Sequence, residues 1–325
     1  MRRENLLRVS PCPGSIWIWA LVKPIWLPSL NAARQENLRP CALMAVNGAV
    51  FVEHKMQDFI IQTKANIWYG SFPLLEKFGF LNAFSCRLHG ASDLADGMLN
   101  LALHTGDAQD KVLQNRLAFA QAIGVQADRF TTCAQVHGSK VVRVAQEQVG
   151  CGAFSLQDTI AQADALITDL PDVPLLLFFA DCVPVLLADK RTGAIGLAHA
   201  GWRGTVAEIA AKTISAMQQF FGTRTQDLLA AIGPSIGSCC YEVDDFVYNQ
   251  ARKYQSYFLA KGNGKYQMDL WDINKQQLLD CGVAEDNIAV AGVCTAHNAE
   301  IFCSYRAENG HTGRMGVCLC RAEKK

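Results

Sequence analysis

Apolar and polar positions divide this chain into alternating strand-like and helix-like stretches from about Phe59 onward, with no clear linker or internal repeat between them. Phe80 to Phe84 reads as a short strand. Asp107 is placed to cap a helix running through Val112, Leu113, Leu117, Ala120 and Ile123, which Gly124 stops. Lys140 to Ala145 and Ala163 to Thr168 look like strands. Leu175 to Ala188 is one long apolar run, followed by the turn-like Asp189 to Gly193 and a second run from Ala194 to Ala200. Two apolar runs around a short glycine-containing turn predict a β-hairpin buried on both faces.

The strongest helix pattern begins at Thr205. Val206, Ile209, Ala210, Thr213, Ile214, Met217 and Phe220 recur at helical spacing, and Gly222 ends the series. Further on, the pattern predicts a strand at Leu228 to Ile232, helices near Asp244 to Tyr254 and Leu270 to Leu279, and strands at Ile288 to Val293 and Met315 to Cys320. Hairpins mixed with helices imply α/β architecture of the α+β kind with mixed sheets, not a doubly wound parallel sheet.

Residues 1–58 differ from the rest. They carry Trp17, Trp19, Trp26 and several prolines, without a sustained period. Arg2 and Arg3 precede an apolar stretch from Ile16 to Val22, but Pro24 and Pro28 follow and no convincing cleavage site appears. That stretch is too short to span a bilayer. The expectation is an N-terminal extension, disordered or read from a start assigned too early, with Met44 or Met56 as the true beginning. Residues 59–325 then form a single catalytic domain.

Composition narrows the function. Half of the 325 residues are apolar and 18% are charged, which suits a globular protein with a sizeable core. Thirty basic residues balance thirty acidic ones, so charge gives no case for nucleic acid or an anionic membrane as partner. The thirteen cysteines include no C-x-x-C. Neither Cys239-Cys240 nor the Cys318/Cys320 pair resembles a zinc-ribbon knuckle. Thiols in that odd number and scattered spacing fit a reducing cytoplasm, mostly as small core hydrophobes.

The predicted hairpin carries the first chemistry. With its turn centred near Arg191, residues whose numbers sum to about 381 to 383 oppose each other, and Cys182 with His199 sums to 381. The two should lie within one residue of direct opposition, with Cβ atoms about 5 Å apart if they share a face. A one-residue slip would turn them to opposite faces. The pair suits either a thiolate–imidazole couple or two ligands of one metal. Asp181 lies beside Cys182 in an otherwise apolar run, so it too must find a partner or carry function.

Gly201-Trp202-Arg203-Gly204 precedes the predicted helix at Thr205, where unpaired N–H groups and the Arg203 guanidinium would suit phosphate or a carboxylate. Gln135-Val136-His137-Gly138 supplies another histidine after a predicted strand. The His104-to-Asp107 and Asn309-to-Arg314 segments read as loop clusters near a site or as plain turns.

These segments together resemble the YfiH-type, or laccase-domain, purine nucleoside phosphorylase family. The resemblance rests on Gln135-Val-His-Gly138, Ala180-Asp-Cys-Val-Pro-Val-Leu-Leu187 and Ala198-His-Ala-Gly-Trp-Arg-Gly-Thr205. Ile232-Gly-Pro-Ser-Ile-Gly-Ser-Cys-Cys-Tyr241 and the closing His311-Thr-Gly-Arg-Met-Gly316 extend it, so that it runs from about Asn66 to the C-terminus. The Asn-Leu-x-x-His-x-Gly-Asp element is intact at Asn100 to Asp107. An upstream Arg-Gly-Gly-x-Ser turn appears as Arg87-Leu-His-Gly-Ala-Ser92, with one glycine replaced.

The resemblance implies a four-layer α/β/β/α sandwich shared with a group of cysteine hydrolases. It implies metal ligation by His137, Cys182 and His199, which also serve as the catalytic residues. Arg87, Asn100, His104, Arg203 and Arg314 are expected around that centre as binders of nucleoside and phosphate. The implied activity is phosphorolysis of adenosine, inosine and methylthioadenosine, with some adenosine deamination. Two imidazoles and one thiolate leave a zinc ion an open fourth position, the arrangement of a catalytic site. Copper is the alternative occupant.

Two rival readings use the same residues. A laccase-like copper oxidoreductase would need many more histidines in His-x-His pairs, and this chain has seven histidines and no such pair. A metal-free hydrolase with Cys182 as nucleophile and His199 as base leaves His137 without a role. The expected protein is a cytoplasmic enzyme, monomer or homodimer.

Overall fold

The computed structural model describes residues 59–94 and 98–322, and before them only the backbone of two short antiparallel pairs, Asn5–Val9 with Ile18–Val22 and Met44–Val46 with Ala49–Phe51. The extension expected over residues 1–58 therefore lies outside the residues whose packing is described.

From Phe59 the strands, in chain order, are β1 (Ile60–Lys64), β2 (Ile67–Ser71), β3 (Phe80–Ser85), β4 (Val141–Arg143), β5 (Ala165–Thr168), β6 (Leu175–Phe179) and β7 (Val183–Asp189). They continue with β8 (Ile195–Ala200), β9 (Leu228–Ile232), β10 (Glu242–Asp244), β11 (Phe258–Gly262), β12 (Lys265–Met268), β13 (Ile288–Val290) and β14 (Met315–Arg321). The main helices are α1 (Gln109–Ile123), α2 (Trp202–Val206), α3 (Ile209–Phe221), α4 (Asp245–Gln250) and α5 (Leu270–Asp280).

The strands build two principal sheets. One is antiparallel, in the order β6-β14-β3-β2-β1, and the other is mixed, in the order β13-β9-β7-β8-β5-β4. In the mixed sheet β13 runs parallel to β9 and β4 runs parallel to β5, while the other pairs are antiparallel. A small third sheet, β10-β12-β11, was not predicted.

Alternating side chains sort the core into three clusters. Leu175, Leu177, Phe179, Val317 and Leu319 of the first sheet meet Leu166, Leu186, Leu197 and Leu229 of the second, all close to fully buried. The opposite face of the second sheet carries Ile167, Val185, Leu187 and Ala198, which pack on Ile209, Ile214 and Met217 of α3 and Ile273 and Leu278 of α5. The opposite face of the first sheet sets Tyr69, Leu176 and Phe178 against Phe119 and Ile123 of α1. Each buried leucine contributes roughly 1.5–3 kcal/mol, so the two-sided burial of the central strands is the main source of their stability.

Several expected elements stand where the pattern put them, including β9 and the core of β3, α5 and β14. Four details differ. The run from Leu175 to Ala188 is two strands in two sheets, because the chain crosses over at Ala180–Cys182 with Asp181 at φ 83°. The helix expected from Thr205 is broken: α2 ends at Val206, Glu208 takes φ 61°, and α3 starts at Ile209. Asp107 does not cap α1. The N-cap is Ala108, and the Asp107 carboxylate accepts from the Asn100 side chain instead. The helix expected to reach Tyr254 stops at Gln250, capped at its start by Asp244, and gives way to a 3-10 segment over Arg252–Tyr257.

Strand polarity decides where chemistry can gather. The β7–β8 register pairs Pro184 with His199 and Val183 with Ala200. The start of β7 thus lies beside the end of β8, and the ends of β9 and β13 and the starts of β4 and β5 fall at that same edge of the sheet. The crossover at Ala180–Cys182 brings the end of β6 and the start of β14 to the same edge, since Phe179 pairs with Met315.

Candidate metal centre

At this edge His137, Cys182 and His199 converge. Their ligand-type atoms all lie within 4.8 Å of one another, and the two imidazole rings meet edge to face with centroids 4.8 Å apart. His199 is buried at the end of β8, Cys182 is half-buried just before β7, and His137 is exposed on the loop before β4.

Cys182 and His199 share a face as expected, but they do not stand within one residue of direct opposition. The opposed pairs sum to 383, so Cys182 lies beyond the ladder and faces His199 diagonally. A two-residue offset keeps side chains on one face, whereas a one-residue slip would not. Gly201 occupies the position across from Cys182. A Cβ there would stand 2.9 Å from the Cys182 Sγ and 3.4 Å from His137 Cδ2. The glycine of the Gly-Trp-Arg-Gly segment is thus required by the close approach of the thiol.

Asp164 organises the centre, and the sequence pattern did not single it out. It is fully buried at the start of β5, and its Oδ1 accepts from His199 Nδ1 at 2.9 Å and from the His137 backbone N–H at 2.9 Å. Its Oδ2 accepts from the N–H groups of Gly138 at 2.7 Å and Val136 at 3.3 Å. One carboxylate therefore fixes the ring of His199 and clamps the turn that carries His137 at φ 58°. Burial alone would raise the Asp164 pKa, but the bonds from His199 and Gly138 outweigh it and hold the carboxyl below its ordinary value. An aspartate inside the apolar Ala163–Thr168 stretch was the available signal. Gln135 adds a second clamp, bonding both ways to the Phe178 backbone at 2.8 and 2.9 Å.

The electrostatics couple the three side chains. Burial opposes ionisation of Cys182, yet attraction to His199 and hydrogen bonds from both histidines bring its pKa down to about 6. Burial likewise opposes the charge on His199, but the Cys182 thiolate and Asp164 raise it to about 9. Without metal the centre is thus a thiolate–imidazolium pair near neutral pH. Asp181 takes a different part. Its Oδ1 accepts from Thr295 Oγ1 at 2.7 Å, its Oδ2 from the Arg306 N–H at 2.7 Å, and its carbonyl from the Ile236 N–H at 2.9 Å. It anchors the crossover that presents Cys182.

The expected binding residues sort into two kinds. His104 lies near enough for the charges of His137 and His199 to bear on it: its ring meets Phe178 edge to face at 6.0 Å, and burial, with nearby Arg314 and Arg116, lowers its pKa to about 4. Arg203 is exposed with its guanidinium 4.4 Å from the Trp202 ring, and α2 behind it is a five-residue helix. Arg314 spends Nη1 on the carbonyls of Thr312 and Gly313, and its guanidinium lies over Tyr305. Asn100 is buried and builds the loop itself, bonding Ala102, Thr105, Asp107 and the Arg314 backbone. Arg87 ties two loops through the Ala299 carbonyl at 2.6 Å and Glu308 at 2.7 Å. A cavity of about 320 Å³ lined by Gln62, Tyr69, Asn82 and Ile123 shares no residue with the centre.

A second group of ligand-type side chains was not foreseen. Cys239, Cys240, Cys294 and His297 also place their ligand-type atoms within 4.8 Å of one another. No helix among the described residues is long and apolar enough to cross a membrane.

Comparison with known proteins gives the relatives of the chain. A relative from Geobacillus stearothermophilus named purine nucleoside phosphorylase YlmD is 37% identical over 272 residues, which is 82% of this chain and 98% of that one. Another of that name, from Bacillus subtilis strain 168, is 35% identical over 71% of this chain and 85% of its own. The crystal structure of YlmD from Geobacillus stearothermophilus superposes with a TM-score of 0.77 at 34% identity, covering 81% of this chain and 99% of that one. Residues 81–322 match the model of the family described as multi-copper polyphenol oxidoreductase laccase. With the relatives sharing a mixed fold of several sheets, the chain belongs to that laccase-domain family.

Proposed function

We propose that this chain is a purine nucleoside phosphorylase whose centre of His137, Cys182 and His199 holds one zinc ion. The carrying observation is the convergence of one low-pKa thiol and two imidazoles at a glycine-cleared edge, with Asp164 bonding His199 Nδ1 and so leaving Nε2 to the centre. That donor set fits zinc: a thiolate and two imidazoles at close range, with the outer side exposed at His137. A zinc ion bound there would supply Lewis-acid charge to an anion at the open side.

In phosphorolysis a phosphate oxygen bonds to ribose C1′ while the bond from C1′ to the base nitrogen breaks, and the base leaves with that electron pair and gains a proton. The residues' own part is positional. Arg203 offers its exposed guanidinium to phosphate, and Arg314 adds positive charge from the loop before β14. His104 is neutral at neutral pH and can exchange a hydrogen bond with the nucleoside. Arg87 and Asn100 act through the loops they hold.

The reading extends to adenosine deamination, in which water replaces the C6 amino group and ammonia leaves. Purified protein with inosine and phosphate should release hypoxanthine and ribose 1-phosphate, and adenosine without phosphate should give inosine and ammonia. Cys182→Ala should lose both; full activity in that variant would overturn the reading.

One observation favours a second reading. Asp164, His199 and Cys182 form an orienter–base–thiolate chain, the arrangement of a cysteine hydrolase. Activity that survives complete zinc removal by chelator would select it. The oxidoreductase reading finds only two imidazoles at this centre and three in both groups together among the described residues.

The three apolar cores support a four-layer α/β/β/α arrangement akin to that of cysteine hydrolases, with residues 59–325 as one catalytic domain. A cytoplasmic location fits the eleven cysteines among the described residues, none of which is in a disulfide.

A further inference from the structure

Two loops outside the proposed catalytic centre meet because β9 and β13 run parallel and leave the sheet at the same edge. Ser235, after β9, bridges to Cys294, after β13. The Ser235 N–H donates to the Val293 carbonyl at 3.2 Å, and the Thr295 N–H to the Ser235 carbonyl at 3.0 Å. This pairing carries Cys239 and Cys240 on one loop to Cys294 and His297 on the other.

We propose that Cys239, Cys240, Cys294 and His297 form a second metal site, a closed zinc site of three thiolates and one imidazole that staples these loops together. Zinc–sulfur bonds of about 2.3 Å and zinc–nitrogen bonds of about 2.0–2.1 Å put tetrahedral donors about 3.5–3.8 Å apart. Cys239 Sγ and His297 Nδ1 already stand 3.3 Å apart, and no pair in the group exceeds 4.8 Å. Closing on an ion therefore needs shifts of about 1 Å or less, within the reach of side-chain torsions.

The surroundings are those of a built site. The Gly237 N–H donates to Cys294 Sγ at 3.3 Å, the outer-shell bond that orients a thiolate ligand. Each cysteine carbonyl is pinned by a side chain: Cys239 by Gln267 at 3.2 Å, Cys240 by Arg306 at 3.2 Å, and Cys294 by Asn298 at 2.8 Å. Cys294 is buried, Cys239 and Cys240 are half-buried, and His297 is exposed, so an ion enters from solvent and His297 closes over it. Three sulfurs and a nitrogen form a set that zinc favours over magnesium, calcium or manganese.

The location gives the staple a purpose. Ile236 and Thr295, one from each loop, both bond Asp181, the residue before Cys182. An ion joining the loops would hold that anchor, and with it the crossover that presents the Cys182 thiol.

The test is metal stoichiometry on the full-length chain, stripped with chelator, reloaded with zinc and desalted. Wild type should retain about two zinc ions per chain, and the triple variant His137→Ala/Cys182→Ala/His199→Ala about one. Cys239→Ser/His297→Ala, which changes only half-buried and exposed side chains, should also retain about one. In wild type, zinc should slow alkylation of Cys239 and Cys240 by about tenfold or more, reversibly by chelator. Retention of one zinc by wild type and none by the triple variant would overturn the proposal. So would unprotected alkylation, or a mass two hydrogens light from a disulfide between Cys239 and Cys240 in protein purified under reducing conditions.

Discussion

Replacing Asp164 by asparagine tests the whole organisation of the centre with a change of one atom. The carboxylate receives four hydrogen bonds, two on each oxygen: His199 Nδ1 and the His137 N–H on Oδ1, Gly138 and Val136 on Oδ2. With the NH₂ toward Gly138 and Val136 both of those bonds are lost; toward His199 the His137 bond is lost and the His199 contact survives only with the imidazole as acceptor. Bonds to a charged acceptor contribute about 1.5–3 kcal/mol each, so the variant should lose about 3–6 kcal/mol of stability where two bonds go and about half of that where His199 turns acceptor. That is a large part of the about 5–15 kcal/mol typical of a folded domain.

The loss at the metal follows the amide's orientation. If the NH₂ meets His199, the imidazole turns acceptor at Nδ1 and carries its proton on Nε2, the atom that the proposed zinc ion would need. If it meets Gly138 and Val136, the turn that holds His137 is released. Either outcome should weaken zinc binding by about 10–100-fold. Chelator competition measures the affinity and denaturant unfolding the stability. The depressed pKa of Asp164 means its stabilisation is present above the ordinary carboxylate value and disappears as pH falls through the folded-state pKa. The asparagine variant should therefore lack that acid dependence. Unchanged zinc affinity with unchanged stability would refute the role assigned to Asp164.

Other expected outcomes follow from single contacts. In metal-free protein, iodoacetamide should label Cys182 with a half-maximal rate near pH 6, and His199→Ala should move that midpoint upward; a midpoint at the ordinary thiol value in wild type would remove the ion pair. The same pair sets a stability window. The Cys182 contribution is lost as pH falls through about 6, and that of His199 as pH rises through about 9, so metal-free protein should be most stable between them. Gly201→Ala keeps an ordinary backbone at φ −66° but places a Cβ 2.9 Å from the Cys182 Sγ, so zinc affinity should fall by about tenfold while the fold persists. Arg116→Met removes a buried guanidinium from the carbonyls of Leu101, Gly152 and Ala153, and should cost about 3–5 kcal/mol in denaturant unfolding.

What could be read from the chain depended on how far apart the partners lie. Cys182 and His199 share one hairpin, so local pairing placed them on one face even though Cys182 stands outside the ladder. The error came from treating Leu175 to Ala188 as one strand. Apolar character continues through the crossover because β6 and β7 are both buried on two faces, and only the polar Asp181 marks the break. His137 and Asp164 reach the centre through the parallel β4–β5 pair, and periodicity carries no information about which distant strands pair. Family resemblance supplied His137; Asp164 was visible only as a charge in an apolar stretch. The group of Cys239, Cys240, Cys294 and His297 is the extreme case. Its members have no knuckle spacing, and two adjacent cysteines read as core residues until a second parallel pair, β9–β13, sets them beside a cysteine and a histidine from another loop. Antiparallel neighbours close in sequence can be read from pattern, whereas sites at the shared edge of parallel strands require the fold. Both groups of ligand-type side chains use such an edge, which is why His137 and Asp164 of the first and all of the second lay beyond pattern alone.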